Sequence, residues 1–232
     1  MDTTTDDFLG GKLHLFQPKV GLRATSDSVI LAACVPAKQG ESLLDVGCGN
    51  GVVALCVASR VKNLILTGLE IQPELADLTA QNATLNNFPM TVICEDLSAS
   101  FSLKGRQFHH VVSNPPFYKA SFVRADIQQK TAYHQQIPLA KWIALCLVFV
   151  APKGSFTTII PAENVPEILP VLEKKLGNIE LIPLFTKKDE PAKRCILRGI
   201  LGSKAPFRVL PGIIGESDNP IYQKICRLGE SF

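Results

Sequence analysis

LLDVGCGNGVVAL, residues 43–55, decides how this chain is read. An apolar run carrying a carboxylate, Asp45, leads through Gly47, Gly49 and Gly51 into a helical pattern. Strand, glycine loop and helix in that succession separate a nucleotide loop from a chance cluster of glycines. Glycine lets the backbone approach a ligand closely, and the helix start offers unpaired N–H groups. The spacing is G-x-G-x-G, not the G-x-G-x-x-G of dinucleotide sites, and Asp45 would repel a pyrophosphate. A ligand carrying an ammonium group suits it. The competing reading is a tight turn in which Asp45 caps the helix.

Outward from this loop, strands and helices alternate. Strands are expected at 42–47, 64–70, 90–96, 109–114 and 154–161, with helices at 51–61, 73–87, 138–151 and 166–176. Pro73 opens the second helix at a first-turn position. Two further strands, near 178–186 and 193–201, follow one another without a helix and should pair antiparallel. The alternation argues for an α/β sheet, parallel in at least its first half. Residues 1–40 read as an N-terminal extension packed on the main domain, with one helix at 26–35 that Ser26 or Asp27 would cap. Residues 41–232 read as a single domain.

The second strand ends on Glu70, nineteen residues after Gly51, where a carboxylate accepts from the hydroxyls of a ribose. The third ends on Glu95, Asp96 and Leu97; an acid there suits an exocyclic amino group, and Leu97 a ring face. Taken singly, each acid is equally a plain strand end. Together they line the carboxyl edge of a doubly wound sheet, where ligands bind. They predict an adenosine with a positively charged tail and no phosphate, which is S-adenosylmethionine.

The fourth strand, VVSNPPFYKA (111–120), stops at Asn114-Pro115-Pro116-Phe117. Two prolines remove two backbone donors and fix two φ angles, making either an ordinary strand stop or a rigid shelf. With the glycine loop upstream, the chain resembles the Rossmann-like S-adenosylmethionine-dependent methyltransferases. NPPF matches the [DNS]-P-P-[FWY] motif of amino-group methyltransferases, and the match runs over residues 42–160. The resemblance implies a class I fold: a seven-stranded, mostly parallel sheet with an antiparallel C-terminal strand pair and helices on both faces. It also assigns roles. The side-chain oxygen of Asn114 and the carbonyl of Pro115 would accept from the two N–H groups of an amino nitrogen, stabilising positive charge as the methyl arrives. Pro115 and Pro116 would hold that carbonyl in place, and Phe117 would stack on the flat acceptor. No metal is required, because the sulfonium already carries an activated methyl. His109 and His110 are expected to be structural.

The motif is shared by N6-adenine, N2-guanine and N5-glutamine methyltransferases. The stretch LFQPKVGLRATSDSVILAACV (15–35) resembles the segment before the glycine loop in bacterial tRNA1(Val) adenine-37 N6-methyltransferases, which reads K-x-G-T-D-x-x-L-L-x-A-W. This chain departs from it with Thr25-Ser26-Asp27 in place of Thr-Asp and no Trp after the helix. By that resemblance Thr25 and Asp27 sit near the methionine end of the cofactor. Forty residues leave no room for the helical domain of release-factor glutamine enzymes, and the appended domain of ribosomal guanine enzymes is missing. The resemblance therefore favours adenine N6 in tRNA. A protein glutamine, a ribosomal guanine, and a non-catalytic adenosine-binding subunit remain as alternatives.

Composition is consistent with this. The 232 residues are 46% hydrophobic and 19% charged, a globular balance, and the net charge of +3 permits nucleic acid without demanding it. Basic residues gather late, at Lys187, Lys188, Lys193, Arg194, Arg198, Lys204 and Arg208, and others follow the shelf at Lys119, Arg124 and Lys130. Lys119, Arg124, Lys193, Arg194 and Arg198 are the candidates for RNA phosphate contact, against the reading of a solvated basic face. Residues 118–137 sit where a base-admitting loop belongs. The acidic start MDTTTDDFLGG lacks signal-peptide layout, and the longest apolar run, Trp142 to Ala151, is ten residues where a membrane span needs about twenty. Seven cysteines without a CxxC pair disfavour zinc and disulfides and point to the reducing cytoplasm.

Overall fold

The computed structural model describes residues 1–21, 23–116 and 137–232. An antiparallel hairpin of β1 (Thr3–Phe8) and β2 (Leu13–Pro18) opens the chain, followed by α1 (Ser26–Ala33). Then come β3 (Ser42–Val46), α2 (Val52–Arg60), β4 (Ile65–Glu70), α3 (Pro73–Leu85), β5 (Met90–Cys94) and β6 (Phe108–Ser113). The second half holds α4 (Leu139–Cys146), β7 (Val150–Pro161), α5 (Val165–Glu173), β8 (Leu176–Phe185) and β9 (Arg194–Leu201). Short strands β10 (Arg208–Val209) and β11 (Ile213–Ile214) and a helical turn, α6 (Pro220–Gln223), complete it.

The main sheet has the order β10-β8-β9-β7-β6-β3-β4-β5, with β11 also on β8. Its nine strands are the expected seven, β3 to β9, plus the two-residue β10 and β11, too short to leave a period in the sequence. β9 runs antiparallel to both β7 and β8, so β8 itself runs with the parallel set. The order reverses at β3, which pairs with β4 on one side and β6 on the other, opening a crevice at their carboxyl ends.

Strand alternation divides the core. Leu43, Leu66, Val112, Ile159 and Ile196 pack with α1 and α2 on one face. Their neighbours Leu44, Leu69, Val111, Ile160 and Leu197 pack with α4 and α5 on the other. Both faces are apolar because both are covered by helices.

Two expectations need correction. The helix expected over 138–151 ends at Cys146, passes through a 3-10 turn at Leu147–Phe149, and yields to β7 at Val150. Pro152 disfavours helix at Ala151, and the β-branched Val148 and Val150 favour extension. The N-terminal extension, expected to hold one helix, also holds the β1–β2 hairpin. Leu13 and Leu15 are fully buried. The outer backbone edge of β2 is covered by Asn82 of α3 and by Asn86 at its C-cap. Asn82 accepts from the Phe16 N–H at 2.7 Å and donates to its carbonyl at 3.0 Å, and Asn86 does the same for His14 at 2.9 and 2.6 Å. Spacing i, i+4 puts both amides on one helix face, where they stand in for a neighbouring strand.

Candidate active site

The glycine loop leaves β3 with positive φ at Gly47, Gly49 and Gly51, of 71°, 60° and 83°. A Cβ at Gly47 would stand 3.2 Å from the Trp142 ring, and one at Gly51 3.0 Å from the Thr79 side chain. Conformation and space both require glycine at these two positions. The loop is tied from behind. Gly47 and Cys48 donate to the Leu69 carbonyl at 2.8 and 3.1 Å, and Gly49 to Glu70 Oε2 at 2.9 Å. From α3, the Thr79 hydroxyl donates to the Gly49 carbonyl at 2.7 Å and Asn82 to the Asn50 carbonyl at 2.9 Å.

An open cleft lies over this loop. Its wall includes Thr25, Asp27, Asp45, Gly47, Gly49, Glu70, Asn114, Pro115 and Pro116. An adjoining recess shares Gly47 and is lined by Asp96, Leu97 and Trp142. Of the residues singled out for cofactor and chemistry, Gly51 stands back from the wall, and Phe117 lies outside the described residues.

The crevice is acidic. Asp45 is 1% exposed; burial pushes its carboxyl up to about 7, the Ala54 N–H at 3.2 Å draws it back, and the nearby Glu70 raises it again. Asp45 thus both bonds the first turn of α2 and faces the cleft. Glu70, also buried, accepts from Gly49 and, through Oε1, from the Gln72 N–H at 3.0 Å. Asp96 accepts from the Ser98 N–H and hydroxyl, both at 2.7 Å. These carboxylates, with glycines that open the loop and an apolar recess beside them, fit an adenosine with a cationic tail. Among the described residues, no cluster of three His, Cys, Asp or Glu is placed to hold a metal.

The shelf begins where β6 ends. The Ser113 hydroxyl donates to the Val46 carbonyl at 2.8 Å and accepts from the Trp142 indole N–H at 3.0 Å, locking β6 to β3 and α4. Asn114 Nδ2 lies 3.5 Å from the Ser28 hydroxyl on α1. That first turn of α1 is not capped by Ser26 or Asp27. Thr25 occupies the N-cap position without a side-chain bond, and the Asp27 carboxylate sits 2.7 Å from Arg194 Nη1. Burial raises the Asp27 carboxyl, and Arg194 opposes the shift. His110 is structural: buried, it bonds Ser155 and Glu41, each at 2.7 Å, and His109 bonds the Ser42 hydroxyl at 2.8 Å.

The basic residues do not form one cluster. Lys187, Lys188 and Lys193 lie on the β8–β9 connection at the carboxyl edge, beside Pro161 at the end of β7. Lys204 and Arg208 lie toward the opposite edge, past Leu201 and beside Glu180. Arg198 is engaged inside the fold. Its side chain is 16% exposed and pairs with buried Glu180 at 2.5 Å, and Nη1 donates to the Cys34 carbonyl at 2.8 Å. Arg208 pairs with the same carboxylate. Lys119, Arg124 and Lys130 lie outside the described residues.

Two contributors went unread in the sequence. Trp142, the one tryptophan, opens the apolar run 142–151, and its ring edges the recess against Gly47. Its indole N–H, which needs a partner when buried, was the available signal. Arg23 also lines the cleft. It donates to the Pro18 carbonyl at 2.9 Å and pairs with Asp6, while Gln17 accepts from the Ala24 N–H at 2.7 Å. Through these bonds the hairpin holds residues 23–25 as a wall of the cleft.

The methyltransferase small domain, as a family, matches residues 23–182. A tRNA1(Val) (adenine(37)-N6)-methyltransferase of Porphyromonas gingivalis is 29% identical over 174 residues, 71% of this chain and 68% of the relative. Enzymes of the same name from Bacteroides fragilis and Actinobacillus pleuropneumoniae are 27% and 23% identical, covering 79% and 99% of this chain and 79% and 98% of the relatives. Among solved structures, a predicted O-methyltransferase from Agrobacterium tumefaciens superposes with a TM-score of 0.71 at 20% identity, over 88% of this chain and 97% of that one. The tRNA m1G37 methyltransferase of M. jannaschii gives 0.58 at 15% identity, over 87% and 57%. These likenesses establish the fold.

Proposed function

This chain belongs to the methyltransferase small domain family, and from that premise we propose that it transfers the methyl of S-adenosylmethionine to N6 of an adenine in tRNA. The observation that carries this reading is the placement of Asn114, Pro115 and Pro116 on the wall of the same crevice as Asp45, Glu70 and the glycine loop. The cofactor supplies a methyl already activated by its sulfonium, so the protein's work is to bind, orient and stabilise charge. Asp96 and Leu97 hold the adenine of the cofactor, Glu70 the ribose hydroxyls, and Asp45 with the glycine loop the charged tail.

An amino nitrogen conjugated to a ring is a poor nucleophile, because its lone pair is delocalised. Acceptors on its two N–H groups draw it toward tetrahedral geometry and stabilise the positive charge that develops there. Asn114 and the Pro115 carbonyl are those acceptors, and the proline pair limits their play. The names of the relatives support adenine over glutamine or guanine as the acceptor. Lys187, Lys188 and Lys193, at the same sheet edge as the shelf, supply countercharge for phosphates.

Incubation with methyl-labelled cofactor and an unmodified tRNA1(Val) transcript, ribosomal RNA or release factor, followed by mass spectrometry, tests this. N6-methyladenosine in the tRNA is the expected product. N2-methylguanosine or methylglutamine would overturn the acceptor, and cofactor binding without any transfer would overturn the activity.

A further inference from the structure

Arg194 stands at the start of β9, level with Pro161 at the end of β7 and Leu184 near the end of β8. That position, next to Lys193 and the basic turn, suggests a residue turned outward to phosphate. The structure gives it another occupation. Its Nη1 lies 2.7 Å from Asp27 Oδ2, and its Nε is buried without a hydrogen-bond partner. Burying an N–H unpaired costs free energy, so this conformer is held by what the rest of the guanidinium does. Asp27 is 8% exposed and lines the cleft, and Arg194 is the donor bonded to it among the described residues.

The cleft has a direction. Asp96 and Leu97 line the recess, Asp27, Asn114, Asp45 and Glu70 line the cleft, and Gly47 is common to both. On the functional reading above, the adenine occupies the recess and the amino-acid tail runs toward Asp27. We infer that Arg194 is a positioning residue for cofactor binding, holding the Asp27 carboxylate ionised and aimed so that it accepts from the α-ammonium of S-adenosylmethionine. A buried carboxylate without a cation takes up a proton and loses its pull on an ammonium. Arg194 supplies that cation from outside the cleft wall, through a side chain 40% exposed. An ion pair spanning β9 and α1 thereby ties the basic β8–β9 connection to the cofactor's tail.

The test uses two ligands in calorimetry. S-adenosylhomocysteine has the ammonium, and 5′-methylthioadenosine keeps the adenosine and sulfur without the amino-acid tail. Arg194→Gln and Asp27→Asn should each weaken S-adenosylhomocysteine by about tenfold, the size of one charge-assisted hydrogen bond, and leave 5′-methylthioadenosine unchanged. The double variant should be no worse than either single one, and Arg194→Lys should recover most of the affinity. Equal losses for both ligands would mean structural damage and overturn the inference. So would an unchanged S-adenosylhomocysteine affinity accompanied by weaker tRNA binding with a flatter salt dependence, which would make Arg194 a phosphate contact. Failure of the wild type to bind either ligand would count against the functional reading itself.

Discussion

At the scale of single residues, Asp45 is a buried carboxylate on the cleft wall whose burial costs stability. Its carboxyl titrates near 7 in the folded chain and near its ordinary 3.8 once unfolded. The folded state therefore holds a proton that the unfolded state has released between those values, and this contribution is lost as pH rises through about 7. Asp45→Asn should remove the loss, raising the melting temperature of the cofactor-free protein at pH 7.5 by roughly 3 °C, about 1 kcal/mol, while cofactor affinity falls. Melting curves at pH 5 and 7.5 should converge in the variant and diverge in the wild type. Asn114 poses the complementary case. It is half-buried at the strand end and lines the cleft. Asn114→Ala should abolish transfer, by a hundredfold or more, with cofactor affinity by calorimetry within a few fold. Loss of both together would contradict its place at the acceptor.

At the scale of elements, β9 carries two arginines whose charge meets partners within the fold. Arg194 and Arg198 sit four residues apart on one strand and read as a basic patch. Their side chains point to the same sheet face, where β9 runs beneath α1 and each guanidinium finds a structural partner. Arg198 meets the Glu180 carboxylate and the Cys34 carbonyl, and Arg194 meets Asp27. Arg198→Ala leaves buried Glu180 with Arg208 alone, so it should destabilise the fold by about 3 kcal/mol in denaturant unfolding. The salt dependence of tRNA binding should not change. At the end of α3, Asn82 and Asn86 spend their amides on the outer edge of β2, and Asn82 also holds the glycine loop.

At the scale of the whole molecule, the reversal of β9 between β7 and β8 brings a distant connection to the working edge of the sheet. Lys187, Lys188 and Lys193, some seventy residues beyond Asn114, share that edge with the shelf. Changing all three to Gln should weaken tRNA binding and reduce the slope of log affinity against log salt by about 2, as expected for three lost phosphate contacts. An unchanged slope would make them solvated charge. Among the described residues no helix is long and apolar enough to cross a membrane.

Much of this was set locally, and that part was legible. The order of strands and helices from residue 42 to residue 201, the glycine loop and the acidic strand ends follow from period, turn chemistry and spacing, which act between near neighbours in the chain. The α/β class and the crevice at the switch between β4 and β6 follow from those elements, because such sheets bind ligands where strand order reverses. What the sequence could not determine is where long side chains spend their charge and which polar groups stand in for backbone. Arg198 facing Glu180, Arg194 facing Asp27, the hairpin sealed by two asparagines, and Trp142 set against Gly47 join residues from 18 to 167 positions apart. Only the packed tertiary structure brings such partners within a few ångströms, and only there does burial make each pairing necessary.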